Sequence, residues 1–394
     1  MGNCSRFVSM AIVLFDNSNR TNLYPLTYTK ALADLRFGIL TIQERWERLT
    51  GLQVWVHTAD YLRPLYAPIG EGLHYWIDAS FIPCPELVTA ILSLREGESI
   101  SQQGQIIAAF LSMDASSFNQ LNSFAYTKAI EVSNIKSIHY PWELVQLNDA
   151  MIRYDFGLIS AGRQSAPIPG TVNIAGAENV FLEEGASLSF CTLNALTGPV
   201  YIGKNAVIME GASIRGPFCL GENSVVKMNS RIYGATSLGP GCLGGGEIKN
   251  TILMANSNKA HDGYLGDAVI GEWCNFGAGS TNSNIKNTAS DVKVWNMGTE
   301  SYMQAGNKCG VMMGDYTRVS INASINTGAV MGISCNVFGA GLLPTIVPNF
   351  SWGVDGTRYE FNKAIDAIRN WKALKGKEIS SAEIAVLAHI FSQS

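Results

Sequence analysis

The sequence predicts an α/β domain followed by a long parallel β-helix and two C-terminal helices. An aliphatic residue recurs every six positions at Ile202, Ile208, Ile214, Leu220, Val226, Ile232 and Leu238. The beat returns at Tyr264, Ile270 and Phe276, and again at Met313, Val319, Ile325, Met331 and Val337. Upstream of residue 160, short apolar runs alternate with helix-like segments, the pattern of an α/β sheet.

A six-residue period fits a parallel β-helix. Each repeat supplies one short strand whose aliphatic side chain enters a narrow core. Small residues such as Gly203, Gly221, Gly271 and Gly314 make the corners. Three strands close one coil of about 18 residues, and no coil can bury its own ends, so coils must stack. The β-helix is expected from about residue 169 to 348. Its beat slips twice, which predicts insertions between about 244 and 262 and between about 282 and 308. Insertions in repeat proteins leave as loops, often on the binding face.

Ala11-Ile12-Val13-Leu14-Phe15 is an apolar run ended by Asp16-Asn17-Ser18-Asn19, a buried strand and its turn. Residues 34–48 read as a helix, 53–56 as a strand, 85–95 as a helix opened by Pro85, and 105–111 as another strand. The tract from Pro141 to Phe156 reads as a helical connector. Residues 358–374 and 381–392 are amphipathic, with Ala364, Ile365, Ile368 and Trp371 in one packing stripe. The expected domains are 10–160, 169–348 and a helical tail, 356–394.

Composition narrows the function. With 15 % charged residues and a net charge of −4, the chain has no electrostatic footprint for nucleic acid. Eight scattered cysteines without a CxxC resemble neither a disulfide framework nor a zinc site, and suit a reducing cytoplasm. No 18-residue apolar run predicts a membrane span. The start Met1-Gly2-Asn3-Cys4-Ser5-Arg6 is not read as a myristoylation signal, because Arg6 stands where Ser or Thr is needed.

Reactive side chains gather in 247–284. This stretch holds Glu247, Lys249, Lys259, His261, Asp262, Tyr264, Asp267, Asn275 and Asn284. His261 is the one histidine of the five that falls in the repeat region, which disfavours a three-histidine zinc site. A lone His can serve as a general base. Asn275 and Asn284 also suit corner ladders, and Lys249 and Arg231 suit a solvated face.

The tract Tyr264-Leu265-Gly266-Asp267-Ala268 with Ile270-Gly271 and Gly277-Ala278-Gly279 resembles the bifunctional N-acetylglucosamine-1-phosphate uridyltransferase / glucosamine-1-phosphate N-acetyltransferase family, ungapped from about Arg231 to Asn284. The chain as a whole is similar to a divergent branch with a shortened N-terminal domain. The resemblance implies a left-handed β-helix, a homotrimer and acetyl-CoA as co-substrate. It implies that His261 deprotonates the amino group of glucosamine 1-phosphate and that Glu247 orients the imidazole. Arg231, Lys249 and Tyr264 would hold the sugar phosphate, and Asn275 and Asn284 the sugar. Ala278 and Gly277 would lie against the pantetheine arm. Where the family pattern has Ser, this chain has Asp315.

The chemistry is coherent in itself. An ammonium cannot attack a thioester, and a positioned base is worth about 10²–10⁴-fold. The phosphate needs cationic donors, and the oxyanion a backbone or side-chain donor.

The N-terminal stretch from Leu14 to Lys30 is similar in outline to the phosphate loop of sugar-1-phosphate nucleotidyltransferases: a Rossmann-like strand, a polar turn, Arg20, Pro25 and Lys30. The family's glycines are absent. The resemblance makes Arg20 and Lys30 the nucleotide-binding candidates, with UTP and Mg²⁺ as the implied reactants. Asp60 and Asp78 are candidate metal carboxylates. Three readings stay open: acetyl transfer with active or vestigial uridylyl transfer, nucleotidyl transfer alone over a structural β-helix, and a trimerisation scaffold.

Overall fold

The computed structural model describes residues 10–113 and 115–393. Residues 1–9, with the Cys4 and Arg6 of the myristoylation reading, lie outside the described residues. The chain forms two units: one of residues up to 20, 30–35 and 41–139, the other of 21–29, 36–40 and 140 onward. Among the described residues no helix is long and apolar enough to cross a membrane.

The first unit holds a six-stranded mixed sheet. Its strands are β1 (Ile12–Phe15), β2 (Val54–His57), β3 (Leu73–Asp78), β4 (Glu98–Gln102), β5 (Gln105–Ser112) and β6 (Lys128–Glu131), in the order β2-β1-β3-β5-β4-β6. β1 runs parallel to both neighbours, while β5 is antiparallel to β3 and β4. The all-buried β1 is the apolar run read from the sequence. Because β2 and β3 flank β1 on opposite sides, the order reverses there. The crevice beyond the carboxyl ends of β1 and β3 is therefore where an open α/β sheet receives a ligand.

The helix expected over 34–48 is shorter. α1 spans Ile42–Thr50, opened by a capping box between Thr41 and Glu44 and closed by Gly51 at φ 69. The helix expected over 85–95 is α2 (Pro85–Leu92). Residues 38–40 cannot be helical. Gly38 lies at φ 77, and its N–H goes to Asn148 Oδ1 (2.6 Å). The Ile39 and Leu40 N–H groups go to Asp155 Oδ2 (2.8 and 3.1 Å). Asn148 and Asp155 sit on α3 (Pro141–Ser160), both fully buried. Ser237 completes the anchor by donating to the Gly38 carbonyl (2.7 Å).

In the second unit, strands of two or three residues run from Asn173–Ala175 to Ile346–Val347. They stack in parallel into three faces of six, nine and eight strands, the parallel β-helix. Inward side chains such as Ile202, Ile208, Ile214, Leu220, Val226 and Ile232 form one continuous buried column. The second expected insertion is present: 283–308 leaves the coil and carries an antiparallel hairpin, Lys293–Asn296 with Ser301–Gln304. The first is not an insertion. Between Gly244 and Leu253 the inward positions are four and five residues apart, at Gly244, Ile248 and Leu253, so the coil contracts. The step from Ile248 to Leu253 is repeated one coil on, where Leu265 and Ile270 are again five apart. Leu265 enters the core, fully buried, and Tyr264 faces outward, half-buried. Two helices follow, α4 (Phe361–Ala373) and α5 (Ser381–Gln393).

The inward placement of Leu265 is testable. Leu265→Ala should lose about 2–5 kcal/mol of unfolding free energy, as a cavity in a packed core does. Tyr264→Phe, which removes one partly exposed hydroxyl, should lose about 1 kcal/mol or less. Denaturant unfolding of both variants reads the difference.

Candidate functional site

Parallel pairing aligns residues of successive coils into columns. Arg231, Glu247 and Tyr264 are register partners on one face, and beside them Lys249 partners Gly266. Adjacent strands lie about 4.8 Å apart, so these side chains share one patch. Arg231 Nε stands 3.8 Å from Glu247 Oε2, both groups partly in solvent. Such a pair is weak and easily exchanged for a ligand. The Lys249 ammonium makes no hydrogen bond or ion pair with the described residues.

Tyr264 lies flat along the face. A Cβ at residue 266 would come within 2.1 Å of its Oη, so only glycine admits the ring there. Asn284 donates to Tyr264 Oη (3.0 Å) and to the Asp267 carboxylate. Asp267 also accepts from Asn250 Nδ2 (2.6 Å). Burial, then the Asp267 and Glu247 charges, push the phenol up to about 12, so Tyr264 presents a neutral O–H. The buried Asn282 amide grips Gly266 at both its N–H (2.8 Å) and its carbonyl (3.1 Å), which holds this strand straight.

His261 sits on the corner just before this face, in the turn Ala260–Gly263. Its side chain is exposed and makes no hydrogen bond with Glu247 or any other described residue. Glu247 is instead turned toward Arg231. One coil on, the same corner is Gly277–Ser280, and the two turns are tied by Gly279 N–H to the Asp262 carbonyl (3.1 Å). Ala278 is exposed there, and its own N–H bonds to no described residue. Asn275 lies on the adjoining face, immediately before that corner, and accepts from Asn258 Nδ2 (3.4 Å). The expected residues therefore wrap one edge: Arg231, Glu247, Lys249, Tyr264 and Asn284 on one side, His261, Gly277 and Ala278 on the corner, Asn275 beyond it.

Asp315 does not join them. It is buried, accepts from Glu272 N–H (2.7 Å) and from Thr29 Oγ1 (2.5 Å), and so serves packing.

In the first unit a cavity of about 390 Å³ opens at the carboxyl ends of β1 and β3, lined by Asp16, Asn17, Asn19, Asp78, Gln105 and Asn122 among others. Asn17 Nδ2 donates to both Asp78 oxygens (3.1 and 2.8 Å), Ser80 donates through N–H and Oγ (2.9 and 2.7 Å), and Gln105 adds 2.9 Å. Asp16 receives Arg20 Nε (3.1 Å), Thr58 Oγ1 (2.6 Å) and the Leu32 N–H (2.9 Å). Burial raises both carboxyls, and these donors oppose it. A carboxylate offers about four lone-pair sites, so Asp78 is saturated and fits poorly as a metal ligand. Asp60, the other candidate, is exposed and paired with Arg63 (3.0 Å). Among the described residues no group of three His, Cys, Asp or Glu could hold a metal. Arg20 and Lys30 are both buried, Arg20 in its pair with Asp16.

Sequence reasoning gave no role to Asp267, Asn250, Asn282, Asn17 or Gln105. Asp267 stood in the quoted motif, but its task, fixing Asn284 and Asn250, needs the fold.

Comparison with known proteins agrees with this architecture. Residues 12–164 match the family model for sugar nucleotidyl transferase. A bifunctional protein GlmU of Methanocaldococcus jannaschii is 36 % identical over 89 residues, covering 23 % of this chain and 21 % of that protein. The GlmU of Methanococcus maripaludis is 32 % identical over 206 residues, 52 % of this chain and 43 % of that one. A bifunctional sugar-1-phosphate nucleotidylyltransferase/acetyltransferase of Sulfurisphaera tokodaii is 33 % identical over 92 residues, 23 % of each. The chain spans less than half the length of each of these relatives. Over these stretches the chain is similar to GlmU proteins.

Lys259 is buried in the core, and burial lowers its ammonium to about 8 against the opposing pull of Asp262. Its ordinary value is 10.5, so between these values the unfolded chain binds the extra proton and stability rises with pH. The melting temperature of the wild type relative to Lys259→Met should therefore climb between about pH 8 and 10.5 in parallel thermal scans.

Proposed function

We propose that this chain is a sugar-phosphate transferase whose β-helix moves the acetyl group of acetyl-CoA to the amino group of glucosamine 1-phosphate or a related amino-sugar phosphate. One observation carries the reading: the tied His261 and Ala278 turns share a corner with the face of Arg231, Lys249 and Tyr264. A base, a free backbone donor and cationic groups thus meet at one edge.

Arg231 and Lys249 would take the phosphate, Arg231 exchanging its weak contact with Glu247 for a charge-assisted one. Tyr264 would donate its neutral O–H, and Asn284, held by Asp267, would meet the sugar together with Asn275. The His261 imidazole would accept a proton from the substrate ammonium, and the freed amine would attack the thioester carbon. The unbonded Ala278 N–H is the donor available to the developing oxyanion. As the carbon–sulfur bond breaks, the imidazolium would return its proton to the leaving thiolate, and the second proton of the attacking nitrogen would leave to solvent, so that one proton is released for each acetyl group transferred. The exposed site edge suits assembly as a homotrimer, in which neighbouring copies would cover it.

The first unit would transfer a uridylyl group from UTP to the sugar 1-phosphate, so that the two units together yield UDP-N-acetylglucosamine. Support comes from the amide-lined cavity at the point where the strand order reverses. Asp16 and Asp78 are already filled by donors and would not hold Mg²⁺.

His261→Ala should abolish thiol release from acetyl-CoA with glucosamine 1-phosphate, a loss of about 10²–10⁴-fold, while leaving the melting temperature unchanged. Arg231→Ala should chiefly raise KM for the sugar phosphate. No release by the wild type with a panel of amino-sugar phosphates would return the β-helix to a scaffold. For the first unit, pyrophosphate release from UTP with a sugar 1-phosphate is expected, and its absence with every sugar 1-phosphate would leave that unit a scaffold too.

A further inference from the structure

One side chain in the β-helix core is out of place by ordinary rules. Its column holds apolar side chains such as Ile208, Val226, Phe276 and Val319, yet Lys259 stands in it 1 % exposed. A buried ammonium is tolerated only when its donors are met. Here the Nζ donates to the His261 carbonyl and to the Asp262 carbonyl, the latter at 3.2 Å. Both acceptors belong to the turn that carries the proposed base.

The preceding coil serves the same turn. A Cβ at Gly245 would come within 2.3 Å of the Ala260 carbonyl oxygen, and one at Gly246 within 2.7 Å of that of His261. The run Gly244-Gly245-Gly246 therefore lets the turn settle directly onto the coil before it. From the following coil, Gly279 N–H meets the Asp262 carbonyl at 3.1 Å. The His261 turn is thus pinned from the preceding coil, from the core and from the following coil. The Asp262 carbonyl, shared by Lys259 and Gly279, joins it to the Ala278 turn.

We infer that Lys259 is a positioning residue for acetyl transfer: drawn into the core, it locks the Ala260–Gly263 turn and so fixes the His261 imidazole beside Ala278. This rests on the acetyl-transfer reading above. An apolar side chain would fill the column equally well, so the lysine is explained by what it holds and not by packing. Nothing else in the core of that corner supplies these two carbonyls with a side-chain donor among the described residues.

The test is a pair of substitutions, Lys259→Met and Lys259→Leu, each alone and combined with His261→Ala. Replacing a buried ion by an apolar group of similar volume is often neutral or stabilising. Both variants should therefore keep or raise the melting temperature. Their kcat for acetyl transfer to glucosamine 1-phosphate should fall on the order of ten- to a hundred-fold, as expected for a displaced catalytic group, with KM for the sugar phosphate nearly unchanged. In the His261→Ala background the same substitutions should cause no further loss, because Lys259 acts through His261. Amide exchange in 260–263 should quicken in both. Folded variants with wild-type kcat, or a full additional loss in the His261→Ala background, would overturn the positioning role alone. Failure of both variants to fold would make Lys259 a structural residue and overturn it as well. A wild type that acetylates no amino-sugar phosphate would bring down the underlying reading, and this role with it.

Discussion

Everything in the second unit depends on parallel, in-register stacking of very short strands. A strand of two or three residues has no stability of its own, and its N–H and C=O groups find partners only in the coils before and after it. The register that satisfies them also aligns side chains into columns. Arg231, Glu247 and Tyr264 are distant in sequence and neighbours in space for that reason alone. The same constraint explains the contracted coil after Gly244. The five-residue step from Leu265 to Ile270 puts Leu265 and not Tyr264 inward, because neighbouring residues of a strand point to opposite faces.

The two candidate sites meet the cost of buried polar groups differently. Along the β-helix edge, Lys259, Asn282 and Asp267 are buried but each is engaged, and the groups left to engage a ligand, Lys249 and the Ala278 N–H, lie at the surface. In the cavity of the first unit, the buried carboxylates of Asp16 and Asp78 are filled by side-chain and backbone donors. One site has polar capacity to spare at its rim, while the other consumes its charge internally and offers amides such as those of Asn19 and Asn122. Low local dielectric makes either arrangement workable only when satisfied.

Much of this was legible beforehand because repeat physics is local. A six-residue hydrophobic beat, an all-apolar β1 and a Pro-opened α3 are properties of neighbouring residues, and each became the element expected. The motif from Tyr264 to Ala268 likewise drew attention to the face on which Arg231, Glu247 and Tyr264 are in register. Legibility stopped where a contact crosses from one segment to another. Nothing local distinguishes Gly38 to Leu40 from a helix; the buried acceptors of Asn148 and Asp155, more than a hundred residues on, take their N–H groups. The buried pair of Arg20 with Asp16, which Thr58 also bonds, is likewise seen only in the fold.

The sequence by itself determined the class of each unit, the approximate span of the β-helix and the identity of its reactive residues, because periodicity and composition act over a few residues. Tertiary structure decided which of those residues share an edge. It turned Tyr264 outward and Leu265 inward, set Glu247 against Arg231 and not His261, and placed Asn275 around the corner from Asn284. Those outcomes follow from phase and register across coils, and the length of each step between inward residues is invisible until the strands on either side are paired.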